Sequence, residues 1–315
     1  MTLFFYGSNT FALRQEVARM IDAYKSKAGS DFGLDRLDGA ILKPRELQAN
    51  LQATPFLASS RLVVVENLSS NKAVSEKLRE IMDVVPDTTV VIFVERDVDQ
   101  RTTSFKVLMG ADKVVKFEPL SSAQLLAWCK HEIERVGGSA DRSAIQELID
   151  VSGEDQWRLS GEINKLVNFD ETITAANVRE LVTPSLDQTI FALVEAMTAG
   201  RTAEALAGYH SLLKQKQSEI YILTMIQWQV RNLLLAKTAG GISQAELANA
   251  GGMSPYVAGK MLIAQRQFLE ETLANAYRAA ADCEYEIKSG HIKGQVAVEQ
   301  LIFKVATLSA KVAKL

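Results

Sequence analysis

Residues 61–95 read RLVVVENLSSNKAVSEKLREIMDVVPDTTVVIFVE. The two ends, Arg61–Glu66 and Thr89–Glu95, are unbroken runs of β-branched and aliphatic residues. Runs of that length suit strands covered on both faces, as in a parallel sheet. Between them Ser75–Met82 carries a helical pattern. It stops before Pro86, because proline lacks the amide and the φ freedom that a continuing helix needs. The unit is strand, helix, strand.

The same alternation extends outward. Leu3–Tyr6 and Lys113–Phe117 are further apolar runs, with a weaker one near Gly33–Leu37. After Asn9 or Thr10 as cap, Leu13, Val17, Met20 and Tyr24 recur at three- and four-residue spacing, the stripe of an amphipathic helix. Residues 1–120 are therefore expected to form a three-layer α/β domain around a parallel sheet.

Pro119 and Leu120 mark the exit. Ser121-Ser122-Ala123-Gln124 reads as a capping box, in which Ser121 caps the third amide and Gln124 reaches back. No strand of comparable quality follows. Residues 121–184 predict a small helical domain, broken at Gly137-Gly138 and Gly153 and ending at Thr183-Pro184. Residues 185–315 predict a second all-α domain. Its nearly apolar helix around Ile220–Leu235 belongs inside a packed bundle. Val298, Leu301, Val305, Leu308 and Val312 form a narrow terminal stripe. Such a stripe packs on a neighbouring helix, of the same chain or of another subunit.

Composition bounds the function. The 315 residues include 35 Lys+Arg and 38 Asp+Glu, with 47% hydrophobic and 23% charged. That is chain enough for two or three domains. A net charge of −3 excludes nucleic-acid binding by bulk charge alone. Basic and acidic groups number 16 and 16 in residues 1–120, 6 and 11 in 121–184, and 13 and 11 in 185–315. Two cysteines, Cys129 and Cys283, exclude a disulfide scaffold and a Cys-rich zinc module. The uncharged run Ile220–Val230 is too short to span a bilayer, and no charged-then-apolar leader opens the chain. A cytoplasmic protein with no membrane association is the expectation.

The first βα turn, Tyr6-Gly7-Ser8-Asn9-Thr10, sits where a mononucleotide-binding fold keeps its phosphate loop. A working loop needs a second glycine, a lysine for the β and γ phosphates and a hydroxyl for magnesium. Ala12, Leu13 and Arg14 follow instead. The Walker-B counterpart, Leu62-Val63-Val64-Val65-Glu66-Asn67, lacks the metal-holding aspartate. The domain reads as a scaffold with no nucleotide, cofactor or metal of its own; a diverged ATPase is the enzymatic alternative.

Other candidates read as structure. Asp97 and Asp99 lack the further ligands and glycine of a calcium loop, and pair locally with Arg101. Cys129 and His131 diverge by about 200° on a helix and cannot grip one ion. Residues 243–266 imitate a helix-turn-helix, with Ser243 and Glu246 as capping box, Gly251 as left-handed turn and Ser254-Pro255 opening the second helix. That helix begins Pro-Tyr-Val-Ala-Gly-Lys, without the polar side chains that read bases, so an αα-hairpin is the better reading than a DNA-binding regulator.

The most informative segment is Gln52-Ala53-Thr54-Pro55-Phe56-Leu57-Ala58-Ser59-Ser60-Arg61. Pro55 fixes the backbone and holds Thr54 extended, which disfavours a helix running through the adjacent Phe56 and Leu57. Either both side chains fold into the core, or they form an exposed hydrophobic plug for a pocket on a partner. Burial of the two would supply roughly 3–6 kcal/mol.

In order and spacing, these features resemble the delta subunits of bacterial DNA polymerase III, components of the sliding-clamp loader. The resemblance rests on FFYGSNTFALRQE, QATPFLASSRLVVVEN, VVIFVERDVDQRTTSFKVL, VVKFEPL, Trp128, SGEINKL (Glu162, Lys165, Leu166), TIFALVEAM at 189–197 and EIKSG at 286–290. It implies an AAA+-like domain at 1–120 without ATPase motifs, a helical lid at 121–184 and a helical collar at 185–315. It implies that delta docks on the ring-shaped clamp through a hydrophobic plug and favours the opened ring for loading onto primed DNA. By position the plug falls on Phe56 and Leu57, flanked by Thr54 and Pro55. ATP-binding companion subunits, joined in a hetero-oligomeric ring through the collar, would expose or withdraw that surface. DNA would be held mainly by the assembled complex.

Overall fold

Alternation along each strand sorts the apolar side chains of the first unit onto two faces. The computed structural model describes residues 1–29, 31–55, 59–96 and 98–312, with the side chains of the last helix described as far as Ser309. It divides into two compact units, Met1–Pro119 and Leu120–Leu315.

In the first unit the chain runs β1 (Thr2–Tyr6), α1 (Thr10–Ala28), β2 (Leu34–Asp38), α2 (Pro44–Gln52), β3 (Arg61–Glu66), α3 (Lys72–Asp83), β4 (Thr89–Glu95), α4 (Thr103–Leu108) and β5 (Lys113–Lys116). All five strands are parallel, in the order β2-β3-β4-β1-β5. Leu3, Phe5, Leu62, Val64, Ile92 and Val94 pack on one face against Leu13, Val17 and Ile21 of α1. Phe4, Tyr6, Val63, Val65, Val91 and Phe93 pack on the other face. There they meet Leu47 and Leu51 of α2, Val74, Leu78 and Ile81 of α3, and Phe105 and Leu108 of α4. Each such side chain contributes about 1.5–3 kcal/mol on burial. The expectation of a three-layer α/β unit around a parallel sheet is met.

Three helices of this unit differ from the sequence reading, which contains no counterpart of α4. α3 begins at Lys72 rather than Ser75, because the Asn71 side chain accepts from the Val74 amide at 3.2 Å and so starts the helix a turn early. α2 was not anticipated at all. Its signals are a proline at the first helical position and Glu46 reaching back to the Lys43 amide at 2.9 Å.

The second unit is helical: α5 (Ser122–Arg135), α6 (Arg142–Ser152), α7 (Gln156–Phe169), α8 (Ala175–Leu181), α9 (Leu186–Thr198), α10 (Thr202–Lys214), α11 (Glu219–Thr238), α12 (Gln244–Gly251), α13 (Pro255–Ala264), α14 (Glu270–Lys288) and α15 (Gly294–Val312). Ser121 and Gln124 form the expected capping box of α5. A two-strand parallel ribbon, β6 (Ser139–Ala140) with β7 (Thr172–Ile173), interrupts the first helices. Strands of two residues leave no periodicity to read.

Two cores fill this unit. One gathers Leu125, Ile133, Leu148, Ile163 and Val178 with Tyr256 of α13. The other surrounds α11, whose Ile222, Ile226, Val230 and Leu233 are buried as its apolar run predicts. Val298, Leu301 and Val305 are 0%, 3% and 1% exposed, so these three pack within their own chain. The outward apolar positions of α15 are Val296, Phe303 and Leu308. The left-handed turn between α12 and α13 is made by Gly252 (φ +61°); Gly251 ends the helix and is buried. Among the described residues, no helix is long and apolar enough to cross a membrane.

Candidate functional site

The β1–α1 turn is filled by its own chain. The Gly7 amide donates to the Glu95 carbonyl, the Asn9 amide to the Phe117 carbonyl and the Thr10 amide to the Ser8 carbonyl, at 3.1, 3.1 and 2.9 Å. The Asn9 side chain caps α1 by accepting from Ala12 and donates to the Glu118 carbonyl, both at 3.1 Å. A phosphate cradle works by pointing free amides at the ligand. Three amides of this turn are already engaged.

The strand ends beside it hold a carboxylate that the sequence did not single out. Glu95 closes β4, is 2% exposed and accepts from the Ser69 amide at 2.9 Å and the Ser69 hydroxyl at 2.5 Å. Burial pushes its carboxyl up, against the opposing effect of those bonds. Its signal, a glutamate ending an apolar strand, is shared with Glu66 and does not discriminate.

Because the strands are parallel, the start of β3 lies at the other end of the sheet from this turn. There the Ala53–Arg61 segment crosses from α2 to β3. Phe56 and Leu57 lie outside the described residues; Thr54 is exposed and Pro55 half-buried. Both ends of the segment are bonded down. Leu47 and Leu51 of α2 are fully buried, and the Ala53 amide closes the helix on the Ala49 carbonyl at 3.1 Å. Arg61, 8% exposed, donates from Nη1 to the carbonyls of Asn50 and Ala53, each at 2.8 Å, and from Nη2 to the Asp35 carboxylate. The Tyr24 hydroxyl of α1 stands 2.9 Å from the Ser60 carbonyl and 2.8 Å from that of Phe32. Sequence reasoning found the segment and missed both anchors, whose partners lie up to 36 residues away.

The remaining candidates stay apart. Asp99 and Arg101 form a two-pronged pair at 2.9 and 2.8 Å that holds the Asp99 carboxyl down at about 2. Lys260 of α13 donates to Gln188 at 2.9 Å and pairs with Asp150 at 3.3 Å, while Tyr256 and Met261 of the same helix are buried. That helix is spent on its own unit rather than presented to a groove. Among the described residues, no group of three or more His, Cys, Asp or Glu side chains is placed to hold a metal ion.

Comparison with known proteins follows the same division. The family model for the DNA polymerase III delta subunit matches residues 3–118, and that for its C-terminal domain matches residues 187–305. DNA polymerase III subunit delta of Bacillus subtilis is 26% identical over 97% of this chain and 93% of its own length. The solved structure titled Bacillus subtilis DNA clamp loader delta protein (YqeN) shares the fold, with a TM-score of 0.68 at 24% identity over 97% of this chain and 95% of that one. With both models in chain order across about three-quarters of its length, the chain belongs to the family of DNA polymerase III delta subunits.

Proposed function

We propose that this chain is a non-catalytic clamp-loader subunit that grips the sliding clamp through Thr54, Pro55, Phe56 and Leu57 and favours the opened ring. The observation that carries the reading is the segment between Ala53 and Arg61, anchored at both ends while Thr54 is exposed. A plug needs apolar side chains to bury in a partner, on a segment whose two ends are held by the fold.

Residues 1–120 act as the clamp-binding domain, 121–184 as the lid and 185–315 as the collar that joins ATP-binding companion subunits. ATP hydrolysis belongs to those companions, since the β1–α1 turn has spent its amides internally and carries no lysine. DNA is held by the assembled complex, in keeping with a chain of net charge −3. Binding of the cognate clamp by wild type and by Phe56→Ala/Leu57→Ala tests the reading.

A further inference from the structure

We propose that the groove between α5 and α6 docks an acidic peptide segment of a protein partner, with Lys130 and Arg142 taking its carboxylates and the groove floor an apolar side chain beside them. The groove shares no residue with the clamp-binding segment, and the inference is independent of that reading.

Residues 121–184 carry six basic and eleven acidic groups, and four of the six bases are engaged within the fold. Arg135 pairs with Glu132 and Arg179 with Glu147. Arg158 donates to the Thr183 carbonyl, and Lys165 to the Leu181 carbonyl and the Glu162 carboxylate. The other two, Lys130 and Arg142, line one open groove of about 690 Å³. Lys130 reaches only Glu134, at 3.9 Å, in a pair exposed on both sides, and such a pair contributes little. Arg142 is exposed and, among the described residues, has no ion pair or side-chain hydrogen bond. Asp141 beside it caps α6, accepting from the Ser143 hydroxyl and the Ala144 amide at 2.7 Å each. Arg142 opens α6, at the positive end of the helix dipole, where a cation gains its own fold nothing. In a region with a surplus of acids, the two uncommitted cations share one groove.

Its floor is apolar. Ile145 is buried, Leu126 half-buried, and the small side chain of Ala127 leaves room over α5. A groove of this volume takes a few side chains. A second groove of about 760 Å³ shares Ser122 and Leu126 with it and continues to Phe191 of α9 and to Ile263 of α13, which is 68% exposed. The cation there, Lys260, is already neutralised by Asp150 at 3.3 Å. The trough is therefore cationic at one end and apolar beyond it, which matches an extended segment with carboxylates followed by apolar residues. Nucleic acid matches the cations but not the floor: among the described residues, no aromatic side chain lines the α5–α6 groove for a base to stack on.

The test uses the full chain and fluorescein-labelled octapeptides with two glutamates and two leucines, in every order, on an alanine-serine background, read by anisotropy. At least one should bind saturably, more weakly as salt rises, and its glutamine counterpart should bind about tenfold more weakly. Lys130→Ala/Arg142→Ala should weaken binding about tenfold with the urea midpoint unchanged, because the fold holds neither side chain. Ala127→Phe, which fills the floor and keeps both charges, should weaken binding similarly; where it does not fold, the charge variant carries the comparison. Failure of every acidic peptide to bind saturably overturns the proposal. So does equal binding of the glutamine counterparts, or wild-type affinity in either folded variant. A labelled single-stranded oligonucleotide should not distinguish wild type from Lys130→Ala/Arg142→Ala; a loss of its binding larger than that of the peptide assigns the cations to nucleic acid and overturns the peptide assignment.

Discussion

The backbone of Phe117 closes over Gly7: a β-carbon on Gly7 would lie 2.1 Å from the Phe117 carbonyl oxygen. Gly7 also holds φ at +133°, a region that side-chain-bearing residues rarely enter. Gly7→Ala therefore combines backbone strain with a clash against main chain, which cannot rotate away. The substitution is expected to destabilise the first unit by about 2–5 kcal/mol. Urea unfolding checks it; an unchanged midpoint would contradict this packing.

The same closure bears on nucleotide. Gly7, Asn9 and Thr10 donate their amides within the protein. Calorimetric titration of magnesium-ATP into the full chain should give no saturable heat, and pure protein should release no phosphate above background. Turnover by the isolated chain would contradict the scaffold reading of this domain.

Glu132 gives the second unit a pH dependence with a definite sign. It is 2% exposed, takes a two-pronged pair of bonds from Arg135 at 2.8 Å each, and accepts from Ser160 of α7 at 2.9 Å. The Arg135 guanidinium, with Ser160, holds its carboxyl below the ordinary value of 4.5. A depressed folded-state value means stability that is present above pH 4.5 and lost as pH falls through the folded value. Glu132→Gln should cost about 2 kcal/mol near neutrality. That difference from wild type should shrink below pH 4.5, as urea unfolding across pH would report.

What the sequence disclosed follows the range of the interaction. Thr89–Glu95 and Arg61–Glu66 declared themselves as buried strands because burial on both faces is written into consecutive residues. The proposed plug segment stands out for a similar local reason, since Pro55 stops a helix from continuing out of α2 into Phe56 and Leu57. The Arg61 anchor does not, because Asp35 is 26 residues away and its other partners are carbonyls, which every residue has. The inward packing of Val298, Leu301 and Val305 was equally hidden: a stripe gives the direction of a face but not whose helix meets it.

Both cysteines are sealed off. Cys129 is fully buried and Cys283 is 7% exposed, and burial pushes their thiols up to about 12 and about 11. Reactivity follows the thiolate, so a disulfide reagent at pH 8 should label neither in the native chain and both after denaturation. Rapid labelling of the native protein would contradict the packing around α5 and α14.

The most direct measurement is the equilibrium affinity of the full chain for its cognate sliding clamp, before and after Phe56→Ala/Leu57→Ala, with unfolding curves showing both proteins folded. Loss of two buried anchors should weaken binding about a hundredfold or more. A folded double variant that binds within about twofold of wild type would place the grip elsewhere on the chain and contradict the plug.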